Sequence, residues 1–210
     1  MPAPRGFVPQ SGTTRLNPSY LPLQLLRRFA SLLPGTAWRF MPAAAARLQM
    51  RAAPHGFAPD WVLYRAASGV EPDPESKGLG SYDAIRVYLW AGMLPREEPL
   101  RAALLLHFSP FERAVATQGM PPMVADSTDG STRGNGPTGF SAALLPFLAA
   151  AGAATTLHAQ RLRLAARATA SDGDSYYDSV LTLFGTGWID RRFRFTGDGR
   201  LLPSWKCLPR

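Results

Sequence analysis

Ser81–Pro95 reads SYDAIRVYLWAGMLP, and apart from Asp83 and Arg86 the segment is free of charge and apolar nearly all the way round. A helix without a polar face belongs inside a protein, and Ser81 offers the hydroxyl that caps helix N-termini. Asp83 and Arg86 are three residues apart, so a helix puts both on one face. Burying them is costly unless they pair or look into a water-filled cleft. They are therefore the sharpest site candidates. The competing reading is architectural, because an aspartate in a first helical turn is also favoured by the macrodipole.

Working outward, apolar residues recur at helical spacing in several blocks, and the fold class read from them is all-α. Asn17-Pro18 opens a helix through Leu25, Leu26, Phe29 and Leu32-Leu33, which Pro34-Gly35 stops. A second helix is predicted over 36–53 and another over 97–118. The uncharged segment near Phe140 to Ala151 is a buried helix, followed by an arginine-bearing surface helix over 155–170 and one starting near Ser175. Residues 54–81 and 119–139, rich in Pro, Gly and Asp, read as long loops. RFRFTGDGRLLPSW at the end reads as a short C-terminal β-hairpin turning at Gly197-Asp198-Gly199. Wholly apolar helices alternate with amphipathic ones, which suggests two concentric layers.

The 210 residues are 46% hydrophobic and 18% charged, which excludes disorder as the main state. The 20 Pro and 19 Gly fall between apolar segments as loop punctuation, not as a repeat. A single cysteine, Cys207, excludes an internal disulfide framework. With 23 Lys+Arg against 15 Asp+Glu the formal charge is +8, a value compatible with a nucleic-acid partner. The arginines are spread along the chain, however, and the groups Arg27-Arg28, Arg161-Arg163-Arg167 and Arg191-Arg192-Arg194 do not interleave with aromatics as a base-stacking surface would. No nucleic acid is expected. The start, MPAPR, is followed by turn and polar residues, so no signal peptide is read. The charge-free run from Gly134 to Gln160 is too rich in Ala, Gly and Pro for a membrane span.

Other chemistry has thin support. His55, His107 and His158 match no zinc spacing, so no metal is expected. Ser68 and Ser141 sit in no nucleophile elbow, and Gly130–Gly139 lacks the lysine of a phosphate loop. Tyr20, Trp61, Tyr64, Tyr82, Trp90, Tyr176, Tyr177 and Trp188 carry flat rings with a polar edge, suited to stacking on sugars, although most aromatics at helical spacing are core.

Five blocks in order form a pattern: LNPSYLP (16–22), GFAPDWVLY (56–64), SYDAIRVYLWAGMLP (81–95), GPTGFSAALLPFL (136–148) and YYDSVLTLFGTGWIDRRFRF (176–195). Together they resemble glycoside hydrolase family 8, and within it the cellulases that accompany bacterial cellulose synthases. The resemblance implies an (α/α)6 barrel, inverting endo-β-1,4-glucanase activity on cellulose with no cofactor, and a periplasmic or secreted setting. By position, Asp83 matches the general base that activates water. Arg86 and Tyr20 match residues lining the same centre, Tyr82, Tyr176 and Tyr177 match aromatics near the sugar cleft, and Trp61 is a further substrate-binding candidate.

Inverting hydrolysis needs two carboxyl groups roughly 6.5–9.5 Å apart, an acid and a base. The resemblance places the acid, a glutamate, in the family's N-terminal half. Residues 1–210 are accordingly expected to be a C-terminal portion of the catalytic domain, a partial barrel that is inactive alone, with a complementary N-terminal half as a candidate partner. Glu71, Asp73 and Glu75 are the nearest local carboxylates that could replace the acid, and nothing around them suggests the raised pKa it needs. A non-catalytic glucan-binding or interaction fragment is the alternative.

Overall fold

A computed structural model describes residues 12–168 and 176–205. Cys207, Ser175 and the start of the chain lie outside them. In chain order the elements are β1 (Thr13–Leu16), α1 (Leu23–Leu32), α2 (Met41–Ala52), β2 (Val62–Arg65), β3 (Gly69–Pro72), β4 (Leu79–Gly80) and α3 (Ile85–Gly92). They continue with α4 (Arg101–His107), α5 (Ser109–Gln118), β5 (Pro122–Asp126), β6 (Thr132–Asn135), α6 (Thr138–Ala151), α7 (Ala154–Ala168), α8 (Tyr176–Ile189), β7 (Phe193–Phe195) and β8 (Leu201–Pro203). No helix among the described residues is long and apolar enough to cross a membrane.

The helix-rich architecture agrees with the sequence reading, but among the described residues three small antiparallel sheets accompany the helices, ordered β1-β2-β3, β4-β5-β6 and β7-β8. Two of them occupy the segments expected to be loops. Their strands are two to five residues long, too short for an alternation to register. The helix expected over 97–118 is two helices, because Pro110 in the first turn of α5 cannot donate to a continuing helical ladder. At the start, Asn17 caps only a 3-10 turn over Pro18–Tyr20, accepting from the Ser19 N–H at 2.9 Å, and α1 begins afresh at Leu23.

α6 is the centre, buried from Gly139 through Leu148, as its charge-free sequence requires. It packs against α3, α7 and α8. Backbones touch at two glycines: a Cβ on Gly92 would lie 2.1 Å from the Phe147 nitrogen, and one on Gly185 would lie 1.9 Å from the Ala142 carbonyl oxygen. α3, α6 and α8 run in the same direction, since Tyr82 meets Phe140 and Tyr177 at one end and Trp188 approaches Gly92 and Ala149 around one cavity at the other. Arg163 of α7 turns inward and donates to the Gly136 and Pro137 carbonyls and to Ser141 Oγ.

Gly92→Ala should cost at least about 3 kcal/mol, because the clash is with backbone and cannot be relieved by a rotamer change; urea unfolding measures it. A second prediction concerns Asp73, whose side chain is 2% exposed and accepts from Arg15 Nε at 2.8 Å, Arg15 Nη2 at 3.0 Å and the Ser76 N–H at 2.9 Å. Burial pushes its pKa up, but Arg15 and the Ser76 N–H outweigh that and hold it below its ordinary 3.8. A depressed carboxylate stabilises the fold fully above its ordinary value and loses that contribution as pH falls through the depressed one. Asp73→Asn should therefore cost about 2–3 kcal/mol at neutral pH and nothing at the acid end, read from denaturation across pH 2–7.

Candidate active site

The N-terminal end of α3 carries the candidate centre, and its capping differs from expectation. Ser81 Oγ does not cap the helix; it donates to the Met123 carbonyl at 2.7 Å. Ala84, in the capping position, has no acceptor of its own. The open N–H groups are met from a distance by Asp60, whose Oδ1 accepts from Ser81 at 2.8 Å, Asp83 at 3.1 Å and Ala84 at 2.7 Å. Burial pushes the Asp60 carboxyl above its ordinary pKa; the charge of Asp83 acts the same way, while the donated N–H groups oppose it. Sequence reading missed Asp60. The signal available was an acidic residue inside the otherwise apolar GFAPDWVLY, overlooked because it lies far along the chain from the helix it caps.

Asp83 and Arg86 form an ion pair, with side chains 27% and 22% exposed, so they pair and face solvent at once. Arg86 also donates to Ser19 Oγ from Nε at 3.2 Å and from Nη2 at 2.8 Å. Ser19 in turn donates to Asn17 Oδ1 at 2.7 Å, fixing the direction of its lone pairs. The 3-10 turn carrying Ser19 is tied down by Trp90 Nε1 donating to the Ser19 carbonyl at 3.0 Å and by Gln49 Nε2 donating to the Pro18 carbonyl at 3.2 Å. With its neighbours buried, Tyr20 is turned outward, and the Arg86 guanidinium stands 5.5 Å from its ring.

The rings divide into those that join this centre and one that does not. Trp61 meets Tyr20 edge-to-face at 5.8 Å and carries the Arg15 guanidinium over its ring at 4.6 Å. Tyr82 and Tyr177 meet edge-to-face at 5.5 Å, and the Tyr177 hydroxyl donates to the Tyr82 carbonyl. Arg86 lies 5.9 Å from the Tyr177 ring. Burial pushes the Tyr177 phenol up to about 12 against the pull of Arg86, so it remains neutral through the working range. Tyr176 is 85% exposed at the first residue of α8. Tyr20, Trp61, Tyr82, Asp83, Arg86 and Tyr177 thus converge from four separate parts of the chain.

The local carboxylates considered as a replacement acid are engaged elsewhere. Glu71 pairs with Arg65, and its hydrogen bond from Ser68, with Arg65, holds it below the usual carboxylate range. Asp73 and Glu75 both pair with Arg15. Glu71 and Asp73 are shifted in the direction opposite to that a general acid requires.

Comparison with known proteins places this arrangement in context. The profile of glycosyl hydrolases family 8 matches residues 2–191. An endoglucanase of Xanthomonas axonopodis pv. citri (strain 306) is 47% identical over 207 residues, covering 98% of this chain and 53% of the relative. An endoglucanase of Escherichia coli (strain K12) is 42% identical over 205 residues, covering 98% and 54%. The crystal structure of endo-1,4-D-glucanase from Vibrio fischeri ES114 superposes with a TM-score of 0.88 at 38% identity, over 95% of this chain and 58% of that one. The chain spans about half the length of the curated relatives it matches.

Ser19→Ala tests how Arg86 is held. Loss of an acceptor shared by two guanidinium donors should cost about 2 kcal/mol, seen in thermal unfolding. The Arg86 Nε–H resonance should also exchange faster with water.

Proposed function

The chain belongs to glycosyl hydrolase family 8, and on that premise we propose that it is a C-terminal portion of an endo-β-1,4-glucanase domain with Asp83 as the general base of inverting hydrolysis. The observation that carries this reading is the partly open Asp83–Arg86 pair, ringed by Tyr20, Tyr82 and Tyr177. In an inverting step the base removes a proton from water as the water attacks the anomeric carbon, and an acid protonates the departing oxygen from the other side of the sugar. Asp83 takes the first role. Arg86, anchored on Ser19, orients the carboxylate, and Tyr20 lines the water position beside it. Tyr82, Trp61, Tyr177 and Tyr176 offer faces or edges to glucose rings. Tyr177 contributes its ring rather than its hydroxyl, which is committed to the Tyr82 carbonyl.

The layered helices are read as part of an (α/α)6 barrel whose remaining helices, with the acid glutamate, come from a complementary portion. Apolar side chains left open on α1, among them Leu25, Phe29 and Leu32, fit that reading. A cellulose substrate lies outside the cytoplasm, so a periplasmic or secreted site of action follows.

The engagement of Glu71, Asp73 and Glu75 in ion pairs favours keeping a second reading, a glucan-binding fragment without turnover. A 2,4-dinitrophenyl β-cellobioside separates the two, because its leaving group departs without a proton and so dispenses with the acid. The chain should release dinitrophenolate with formation of the α-anomer, and Asp83→Asn should lower the rate about 10²–10⁴-fold. Carboxymethylcellulose, whose leaving group needs the proton, should give no reducing ends. A folded chain that binds cellopentaose but releases no dinitrophenolate is the binding fragment.

A further inference from the structure

We infer that Asp60 is a positioning residue for Asp83: its carboxylate holds the Ser81–Ala84 turn by three backbone hydrogen bonds and so fixes the point from which the Asp83 side chain reaches into the site. The inference rests on the reading of Asp83 as the base.

A helix start has open N–H groups that a nearby Ser, Thr, Asp or Asn usually satisfies. Here the nearby candidate, Ser81, is occupied with the Met123 carbonyl, and the acceptor comes from 24 residues before Ala84. One of its three bonds ends on the N–H of Asp83 itself, and the other two flank that residue. Whatever they add as a helix cap, these bonds fix the backbone on both sides of the Asp83 Cα.

Asp60 is also anchored to the helix that it caps. Its N–H donates to the Leu79 carbonyl at 2.9 Å. Two residues earlier, the Ala58 N–H donates to the Tyr88 hydroxyl at 2.8 Å. Tyr88 is a buried residue of α3, stacked on Phe111 with ring centroids 4.0 Å apart. Gly80 lets the two segments touch, since a Cβ there would come within 1.9 Å of the Ala58 carbonyl oxygen. The path from Tyr88 through Ala58 and Asp60 to the Asp83 N–H forms a closed loop on the rigid core face of α3. Asp83 is thereby held twice, at its backbone by Asp60 and at its carboxylate by Arg86. Reaction rates depend steeply on such placement, because a displacement of about 1 Å at a catalytic group costs about 10²-fold.

Removing the carboxylate leaves three converging N–H groups, a concavity that suits a small anion. Asn at position 60 keeps an oxygen acceptor of the same reach, and Ala does not. With the dinitrophenyl cellobioside, Asp60→Ala should lower kcat about 100-fold while KM stays within about twofold, and Asp60→Asn should stay within about fivefold of the parent in kcat. Added formate should restore part of the kcat of Asp60→Ala and none of that of Asp83→Asn. If alanine prevents folding, Asp60→Ser replaces it, as its short hydroxyl cannot serve three donors. Equal kcat losses in the Ala and Asn variants, or losses in KM alone, would overturn the inference. If the parent chain releases no dinitrophenolate, the reading of Asp83 as the base in this chain is what has failed. Asp60 is then judged by amide hydrogen exchange: protection at Ser81, Asp83 and Ala84 that drops in the Ala variant and returns in Asn or with formate supports its holding role, and unchanged protection refutes it.

Discussion

The fold depends on the backbone contacts of α6 with its two parallel neighbours, α3 at Gly92 and α8 at Gly185. Two helices approach this closely only where a side chain is missing, and both absences lie well along α3 and α8, so the crossings set where each helix begins. α3 and α8 start side by side, which is why Tyr177 meets Tyr82 and Arg86 although more than ninety residues separate them. Core packing thus brings the helix starts together, and the 3-10 turn carrying Tyr20 and the segment before β2 carrying Asp60 and Trp61 complete the site.

Parallel alignment also sorts charge along the helix axes. The N-terminal ends carry positive partial charge and gather Asp60, Asp83 and Asp178, the last in the first turn of α8. The C-terminal ends surround a cavity of about 460 Å³ bordered by Arg96, Arg101, Arg191 and Arg194. Arg101 donates there to the Ala150 carbonyl at 3.3 Å, and Arg194 to the carbonyls of Trp188 and Phe193. Several arginines that look like a basic surface in the sequence are engaged: Arg27 and Arg28 with Glu98 and Asp198, Arg194 with the end of α8 and Arg163 with the start of α6.

Much of the site was legible because its key residues break a local rule. Asp83 and Arg86 are charges in an otherwise apolar stretch, and their three-residue spacing brings them together although Asp83 lies in the turn before α3 and not in the helix expected to hold it. Tyr20 and Tyr177 became candidates through the family pattern, since nothing in their local sequence separates them from core aromatics. The strands of the first two sheets escaped notice because pairs such as Leu79–Gly80 with Ala125–Asp126 are set by partners more than forty residues away and carry no period of their own. Asp60 escaped for the same reason. Capping by a residue distant in sequence leaves no local signature, and Ser81 offered a plausible cap that the fold uses to bind a strand.

The elevated pKa of Asp60 raises the question of whether it could be the acid that the proposed mechanism needs. Elevation alone fits, but the position does not. Its Oδ1 is taken up by the N–H groups of Ser81, Asp83 and Ala84, which hold the carboxyl against the backbone of Asp83. An inverting acid must stand across the glycosidic bond, with room between the two carboxyls for the sugar carbon and the water. Burial raises Asp60 for a different reason: its charge is enclosed to make it a rigid acceptor, and the three N–H groups recover part of the lost solvation. In the proposed reading Asp60 supports Asp83, and Glu71, Asp73 and Glu75 are tied to arginines. In the proposed mechanism the proton for the leaving oxygen therefore has to come from a carboxyl other than these four.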